Sequence, residues 1–139
     1  MNNPIVRLIA GILAGVVVQI LVTMGVQLLG HSLYPPPAGI DPMNPEHVER
    51  LLATMSAAAL AFVPASWFLG ALLGAWVADV IARKALAGWV VALWVICASA
   101  YVLATIPHPA WMWAALLLPA LAAWIAQRLA KVGQATWTR

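Results

Sequence analysis

The sequence predicts an all-α protein, a four-helix transmembrane bundle, and three observations lead to this fold class. The composition is apolar, since 65% of the 139 residues are hydrophobic and only 8% are charged, whereas a soluble domain has about 25% charged residues. Four apolar segments are long enough to cross a bilayer. The basic residues gather at one end of these segments, as the positive-inside rule requires. We therefore expect a single integral membrane domain over residues 1–139, with the lipid bilayer as its first partner.

The first predicted span, residues 5–29, carries a regular stripe of small and polar residues. Gly11 and Gly15 are followed at the same spacing by Gln19, Thr23 and Gln27. Residues four apart lie on nearly the same face of a helix, so the two glycines should pack against another helix. The three polar residues, which we call the polar ladder, should face protein, because an amide that faces lipid is unsatisfied. They either form interhelical hydrogen bonds or line a polar passage.

Residues 30–44 form a predicted proline-rich outer loop, and a short amphipathic segment follows it. The loop contains Pro35-Pro36-Pro37, a run that favours the extended polyproline conformation. Asn44 and Pro45 are typical of a helix N-cap and of a first helical position. Apolar and polar residues in 45–55 separate onto two sides, which indicates either an interfacial helix or a cap on the bundle.

The second predicted span, residues 57–84, contains Pro64, where a kink is expected, and a stripe of small residues along one face. In lipid, helices associate through close backbone approach, which small residues four apart permit. We expect this stripe to pack against the stripe of the first span. The predicted helix-packing residues of the two spans are Gly11, Gly15, Ser66, Gly70, Gly74 and Ala78.

Two further spans, residues 85–106 and 109–130, complete the predicted bundle. The connection between them is short, so these spans should lie antiparallel, and Pro119 should kink the last one. With four spans, six basic residues fall at one end of the bundle and only Arg50 falls at the other. This distribution predicts that both termini are cytoplasmic.

One acidic residue lies within a predicted span. Asp79 is followed at i+4 by Arg83, which is the favourable order for an ion pair on a helix surface. We expect this local pair near the basic end of the second span. A role in proton coupling is the alternative, because carboxylates inside membranes often serve transport.

All three histidines fall on the predicted outer side, together with three of the four acidic residues. Imidazole and carboxylate groups are ligands for zinc and similar metals, so a divalent metal site is one hypothesis. Neither H-x-x-x-H nor H-E-x-x-H occurs in the chain, and interfacial hydrogen bonding is the other interpretation. The candidate ligands are His31, Asp41, His47 and His108.

The chain lacks the sequence patterns of other cofactors and of common catalytic sites. It has no Ser/His/Asp order, no phosphate loop and no C-x-x-C, which favours a role other than catalysis. Its single cysteine, Cys97, excludes an intrachain disulfide. A soluble basic face with interleaved aromatic residues is also missing, so we expect no nucleic-acid partner.

Three stretches carry a family resemblance: HSLYPPPAGID (31–41), WFLGALLG (67–74) and IPHPAW (106–111). They resemble a family of small bacterial inner-membrane proteins with four spans. The resemblance implies a four-span fold in the bacterial cytoplasmic membrane and implies no activity. The small multidrug-resistance exporters share the size and span count. They rely on a membrane-embedded Glu in the first span, and residues 5–29 contain no acidic residue.

The sequence leaves three functional hypotheses open. The first is a structural or accessory membrane protein that packs with itself, as a homo-oligomer, or with a larger membrane complex. The second is a small transporter or channel that uses the polar ladder. The third is a periplasmic-face metal-binding protein or enzyme. Fold alone does not decide among these functions.

Overall fold

The computed structural model describes residues 3–41 and 44–137, with their side chains as far as Lys131. Every regular element in these residues is helical, which confirms the predicted fold class. In chain order the elements are α1 (Pro4–Leu33), α2 (Pro45–Thr54), α3 (Ala57–Ala82), α4 (Ala85–Thr105), a 3₁₀ helix (Ala110–Leu117) and α5 (Leu118–Trp137). The segments long and apolar enough to cross a membrane are Pro4–Leu33, Ala57–Ala82, Ala85–Thr105 and Ala110–Lys131.

Helix α1 runs further than the predicted end at residue 29, and the predicted loop start at Gly30 is therefore too early. Gly30 stays helical because it packs closely against α3, where an added Cβ would lie 2.9 Å from Cγ of Phe62. The helix then ends at Leu33, just before the proline run. A residue that precedes proline avoids the α conformation, which explains the position of this end.

Helices α2 and α3 are separated by a sharp break rather than joined as one long helix. Asn44 caps α2 as expected, because its Oδ1 accepts a hydrogen bond from the Glu46 N–H at 3.0 Å. Helix α2 ends at Thr54, and Ser56 caps α3 by accepting from the Ala59 N–H at 3.2 Å. Two consecutive caps let the chain change direction where the amphipathic segment meets the membrane span.

Helix α3 is the central helix of the bundle, since it contacts α1, α4 and α5. Its face of small residues lets three neighbours approach closely. The core around it combines small alanines with a few large side chains, among them Trp67, Val95 and Met112. Helix α1 packs mainly on α3 and exposes the rest of its surface, as a span at the edge of a membrane bundle does.

The fourth span begins as a 3₁₀ helix and becomes α-helical at Leu118. Pro119 is the second residue of α5, where the missing N–H removes no hydrogen bond because the first turn has no partners for these groups. The kink at Pro119 stays a prediction, and the structure adds a change of helix type just before this residue. At its other end α5 continues to Trp137, beyond the predicted end at residue 130.

Candidate functional site

The small-residue stripes of α1 and α3 lie against each other and close the space between these helices. A Cβ added to Gly15 would lie 2.6 Å from the Gly74 carbonyl oxygen, and one added to Gly11 would lie 2.8 Å from the carbonyl oxygen of Ala78. Real Cβ atoms essentially never make contacts below 3.0 Å, so a larger residue at either position would force the helices to shift. The helices therefore contact each other backbone to backbone along this stretch.

The polar ladder of α1 lies in the same interface and forms hydrogen bonds there. Gln19 Nε2 donates to the Thr23 hydroxyl at 3.1 Å, and the Thr23 hydroxyl donates to the Ser66 carbonyl at 3.3 Å. Gln27 Nε2 donates to the Ser66 hydroxyl at 3.3 Å, and that hydroxyl donates to the Val63 carbonyl at 2.6 Å. The geometry favours interhelical hydrogen bonding over a passage, because the neighbouring backbones are in contact.

A cavity of about 770 Å³ lies at the end of the bundle that carries α2. We call it the outer cavity. The proline-rich loop, α2 and the ends of α1, α3 and α4 surround it. Its lining is mainly apolar, with a few polar groups such as those of His31, Thr54 and Ser56. The apolar lining includes Pro36, Ile40, Val48, Leu51, Met55 and Ile106.

Helix α2 covers the outer cavity without packing tightly on the bundle. None of its residues is buried, although Val48 and Leu51 are half-buried on the side that lines the cavity. The opposite side carries Glu46, Glu49 and Arg50, which are exposed. An amphipathic helix normally presses its apolar side onto a core or a membrane, whereas here that side faces open space.

A second pocket of about 200 Å³ extends the outer cavity toward the polar ladder. The two spaces share His31, Tyr34, Met55 and Ala59 in their walls. The second pocket, which we call the inner pocket, also reaches Gln27, the last residue of the ladder. One wall is aromatic, since the rings of Tyr34 and Phe62 are 6.0 Å apart. An apolar cavity at the outer face and a smaller pocket with a polar inner end beside α1 therefore lie side by side.

The structure brings two of the four candidate metal ligands to this site. His31 and His108 both line the inner pocket, and His108 Nδ1 lies 2.7 Å from the Ile106 carbonyl oxygen. His47 instead accepts a hydrogen bond through Nδ1 from the Asp41 N–H at 3.2 Å. Within the described residues no group of three or more His, Cys, Asp or Glu side chains is arranged to hold a metal ion. The metal hypothesis gains no support from this geometry.

Asp79, at the opposite end of the bundle, has a different partner from the expected one. It is 2% exposed, and its Oδ1 accepts a hydrogen bond from the Gly88 N–H of α4 at 2.7 Å. The helix ends at Ala82, and Arg83 has a left-handed backbone, with φ 53° and ψ 33°. The i+4 helical geometry assumed for the ion pair is therefore absent, and Arg83 is exposed.

The outer cavity was not foreseen from the sequence. Its walls come from five separate segments, and residues such as Tyr34, Ala59 and Ile106 carry no motif. The one usable signal was the amphipathic pattern of 45–55 beside a proline-rich loop, because such a helix needs an apolar neighbour.

The four candidate spans make this chain a multi-pass membrane protein. Comparison with protein-family models, with curated proteins and with solved structures finds no match to the chain.

Proposed function

We propose that this multi-pass membrane protein is a small accessory binding protein, which holds the apolar chain of a lipid-like molecule in the outer cavity. The observation that carries the proposal is the apolar side of α2, which lines a cavity of about 770 Å³ instead of packing on the bundle. Pockets for small molecules have volumes of about 300–1,000 Å³ and combine apolar walls with a few polar groups. The outer cavity matches both properties.

The position of the cavity supports a lipid-like ligand. Its walls include the ends of three candidate spans, so it lies at the boundary between the hydrocarbon layer and water. Molecules at that boundary have an apolar chain and a polar head. The apolar chain would lie beneath Leu51 and Met55, and His31 or Gln27 would offer hydrogen bonds to a polar group that enters the inner pocket.

The contacts of the polar ladder favour binding over transport as the function. Its side chains hydrogen-bond to one another or to α3, and the adjoining glycines hold α1 and α3 in backbone contact. A channel along this interface would have to separate the two helices and break these bonds.

The protein is proposed to lie in the bacterial inner membrane with both termini in the cytoplasm. Support comes from the charges: Arg83, Lys84 and Lys131 surround one end of the bundle, and Glu46 and Glu49 lie at the other. Basic residues prefer the cytoplasmic side, so the outer cavity would open to the periplasmic side. A homo-oligomer or a larger membrane complex is the proposed assembly, and no nucleic-acid partner is proposed.

Photocrosslinking tests the binding function. The purified protein in detergent micelles is mixed with a stoichiometric amount of a phospholipid that carries a diazirine at mid-chain, and the labelled peptides are mapped by mass spectrometry. We expect labelling to concentrate on residues 48–59. Equal labelling of the exposed surface around Leu13 and Leu93 would refute a specific site.

Two neighbouring variants of α2 provide the matched control. Leu51→Trp fills the outer cavity, which Leu51 lines, and should reduce the labelling several-fold. Leu52→Trp makes the same change one residue further on, where the side chain lines a different groove beside Pro107, and should leave the labelling unchanged. Equal effects of the two variants would contradict the proposal.

A further inference from the structure

The end of the bundle opposite to α2 contains a small cavity that is rich in cationic groups. It has a volume of about 100 Å³ and lies between the end of α3, the start of α4 and the side of α5. We call it the basic cavity. Its polar lining consists of Asp79, Arg83, Lys84, Gln127 and Lys131.

The turn between α3 and α4 carries two of these cationic residues, Arg83 and Lys84. Arg83 has the left-handed backbone conformation, which is unfavourable for a non-glycine residue and persists where its surroundings favour it. The hydrogen bond from the Gly88 N–H to Asp79 ties α4 to α3 directly across this turn. The backbone of the turn is therefore constrained in two ways: by the conformation of Arg83 and by the hydrogen bond that joins α4 to α3.

Helix α5 supplies the opposite wall and is itself fixed to α4. Trp89 Nε1 donates a hydrogen bond to Gln127 Oε1 at 3.3 Å, so the amide that lines the cavity is oriented by α4. Lys131 lies one helical turn beyond Gln127 and is exposed. The turn between α3 and α4 and the side of α5 thus place cationic groups around one small space.

The charge of the basic cavity is complementary to an anion. Three cationic side chains and a single carboxylate line the cavity, so the cationic groups outnumber the anionic one. Asp79 is buried, with Oδ1 bonded to the Gly88 N–H and Oδ2 without a hydrogen-bond partner in the described residues. Arg83, Lys84 and Lys131 are exposed, and no ion pair with a carboxylate is formed by any of them within the described residues. Their charges remain available to a ligand.

The depth of the cavity in the membrane identifies the source of that anion. Trp89, which is bonded to the cavity-lining Gln127, is 41% exposed, and Trp124, three residues before Gln127 in α5, is 46% exposed. Exposed tryptophan rings at the ends of membrane spans are typical of the headgroup level. Arg128 lies at the same level, with its guanidinium carbon 4.8 Å from the centre of the Trp124 ring. Basic pockets between spans at this level bind anionic lipid headgroups.

We propose that the basic cavity binds the phosphate group of an anionic phospholipid, with Lys84 and Lys131 as its main cationic contacts. Arg83 adds a third positive charge, and Gln127 adds an amide donor. This site is independent of the outer cavity, because it lies at the other end of the bundle and takes a headgroup rather than an apolar chain.

Native mass spectrometry of the full chain in detergent micelles tests this site, with phosphatidylglycerol as the probe. In the Leu51→Trp background, which fills the outer cavity, we expect one preferred lipid copy per chain at the basic cavity. Each lysine near the surface of an anionic membrane contributes a roughly fivefold gain in affinity. Lys84→Gln and Lys131→Gln should therefore each weaken binding about fivefold. Arg50→Gln, which removes one positive charge at the opposite end, should not change binding.

Two competitors distinguish the possible ligands. Diacylglycerol with the same chains lacks the phosphate and should not displace phosphatidylglycerol, while free glycerol phosphate should displace it only weakly. Equal competition by diacylglycerol would show that the chains alone are bound, and equal competition by glycerol phosphate would identify a site for soluble anions. Either result, or unchanged binding by both lysine variants, would overturn the proposal.

Discussion

The carboxylate of Asp79 lies directly against the backbone of Gly88. Its Oδ1 accepts the Gly88 N–H at 2.7 Å, and a Cβ at Gly88 would lie 2.8 Å from both carboxylate oxygens. The second oxygen, Oδ2, is buried and has no hydrogen-bond partner in the described part of the chain. A buried carboxylate in this position is stabilised by a neighbour without a side chain, so the identities of the two residues depend on each other.

Gly88→Ala is expected to destabilise the contact between α3 and α4. The added methyl group would overlap the Asp79 carboxylate, and overpacking of this kind costs about 1–3 kcal/mol. The free energy of unfolding, measured by titration with a denaturing detergent, should fall by this amount. Gly25→Ala is the control, because nothing lies within 4 Å of its added Cβ. Equal losses in both variants would contradict the steric explanation.

Gly15→Ala is expected to move α1 away from α3. The new Cβ would meet the Gly74 carbonyl oxygen at 2.6 Å, and a backbone atom cannot rotate aside as a flexible side chain can. Spin labels at the exposed positions Leu21 and Leu69, in a Cys97→Ser background, report the distance between the two helices. We expect a longer and broader distance distribution, and an unchanged one would show that the interface tolerates a methyl group.

The hydrogen bond between Gln27 and Ser66 should contribute a modest coupling energy. The distance from Nε2 to Oγ is 3.3 Å, and hydrogen bonds between helices in membranes average about 0.6 kcal/mol, with a maximum of about 1.7. A double-mutant cycle with Gln27→Leu and Ser66→Ala measures this coupling through the free energy of unfolding. Strictly additive effects of the two substitutions would show that the contact contributes nothing.

Cysteine labelling tests the proposed orientation. In a Cys97→Ser background, Ala38→Cys in the proline-rich loop should react with a membrane-impermeant maleimide on intact cells. Lys131→Cys, near the basic end of α5, should react only after the membrane is permeabilised, because basic residues favour the cytoplasmic side. The reverse pattern would place the outer cavity in the cytoplasm.

Much of the fold follows from local properties of the sequence. Hydropathy and helix length locate the spans, because every backbone group in lipid must be satisfied within its own helix. The cap at Asn44 and the break before Ala57 also follow from short-range preferences. The predicted loop start at Gly30 is too early, since α1 continues to Leu33 and the missing side chain of Gly30 serves the contact with Phe62.

The side-chain contacts at both ends of the bundle depend on segments that are distant in the chain. The i+4 spacing predicts Arg83 as the partner of Asp79. In the structure α3 ends at Ala82 and the Gly88 N–H approaches the carboxylate, so Gly88 is the partner. His31 and His108 reach one pocket, whereas His47 turns to the loop. Residue spacing describes neighbours on one helix and carries no information about which helix ends meet.

The sequence by itself determined that this chain crosses a membrane with four helices, that small residues line two of them and that positive charge gathers at one end. The first two properties belong to single segments and to their transfer from water to lipid, and the charge distribution follows from the number and order of the spans. Only the tertiary structure decided that α2 covers the outer cavity and that Lys84 and Lys131 line the basic cavity. A cavity is a space left between segments, so its existence depends on how closely the helices pack and where each of them ends.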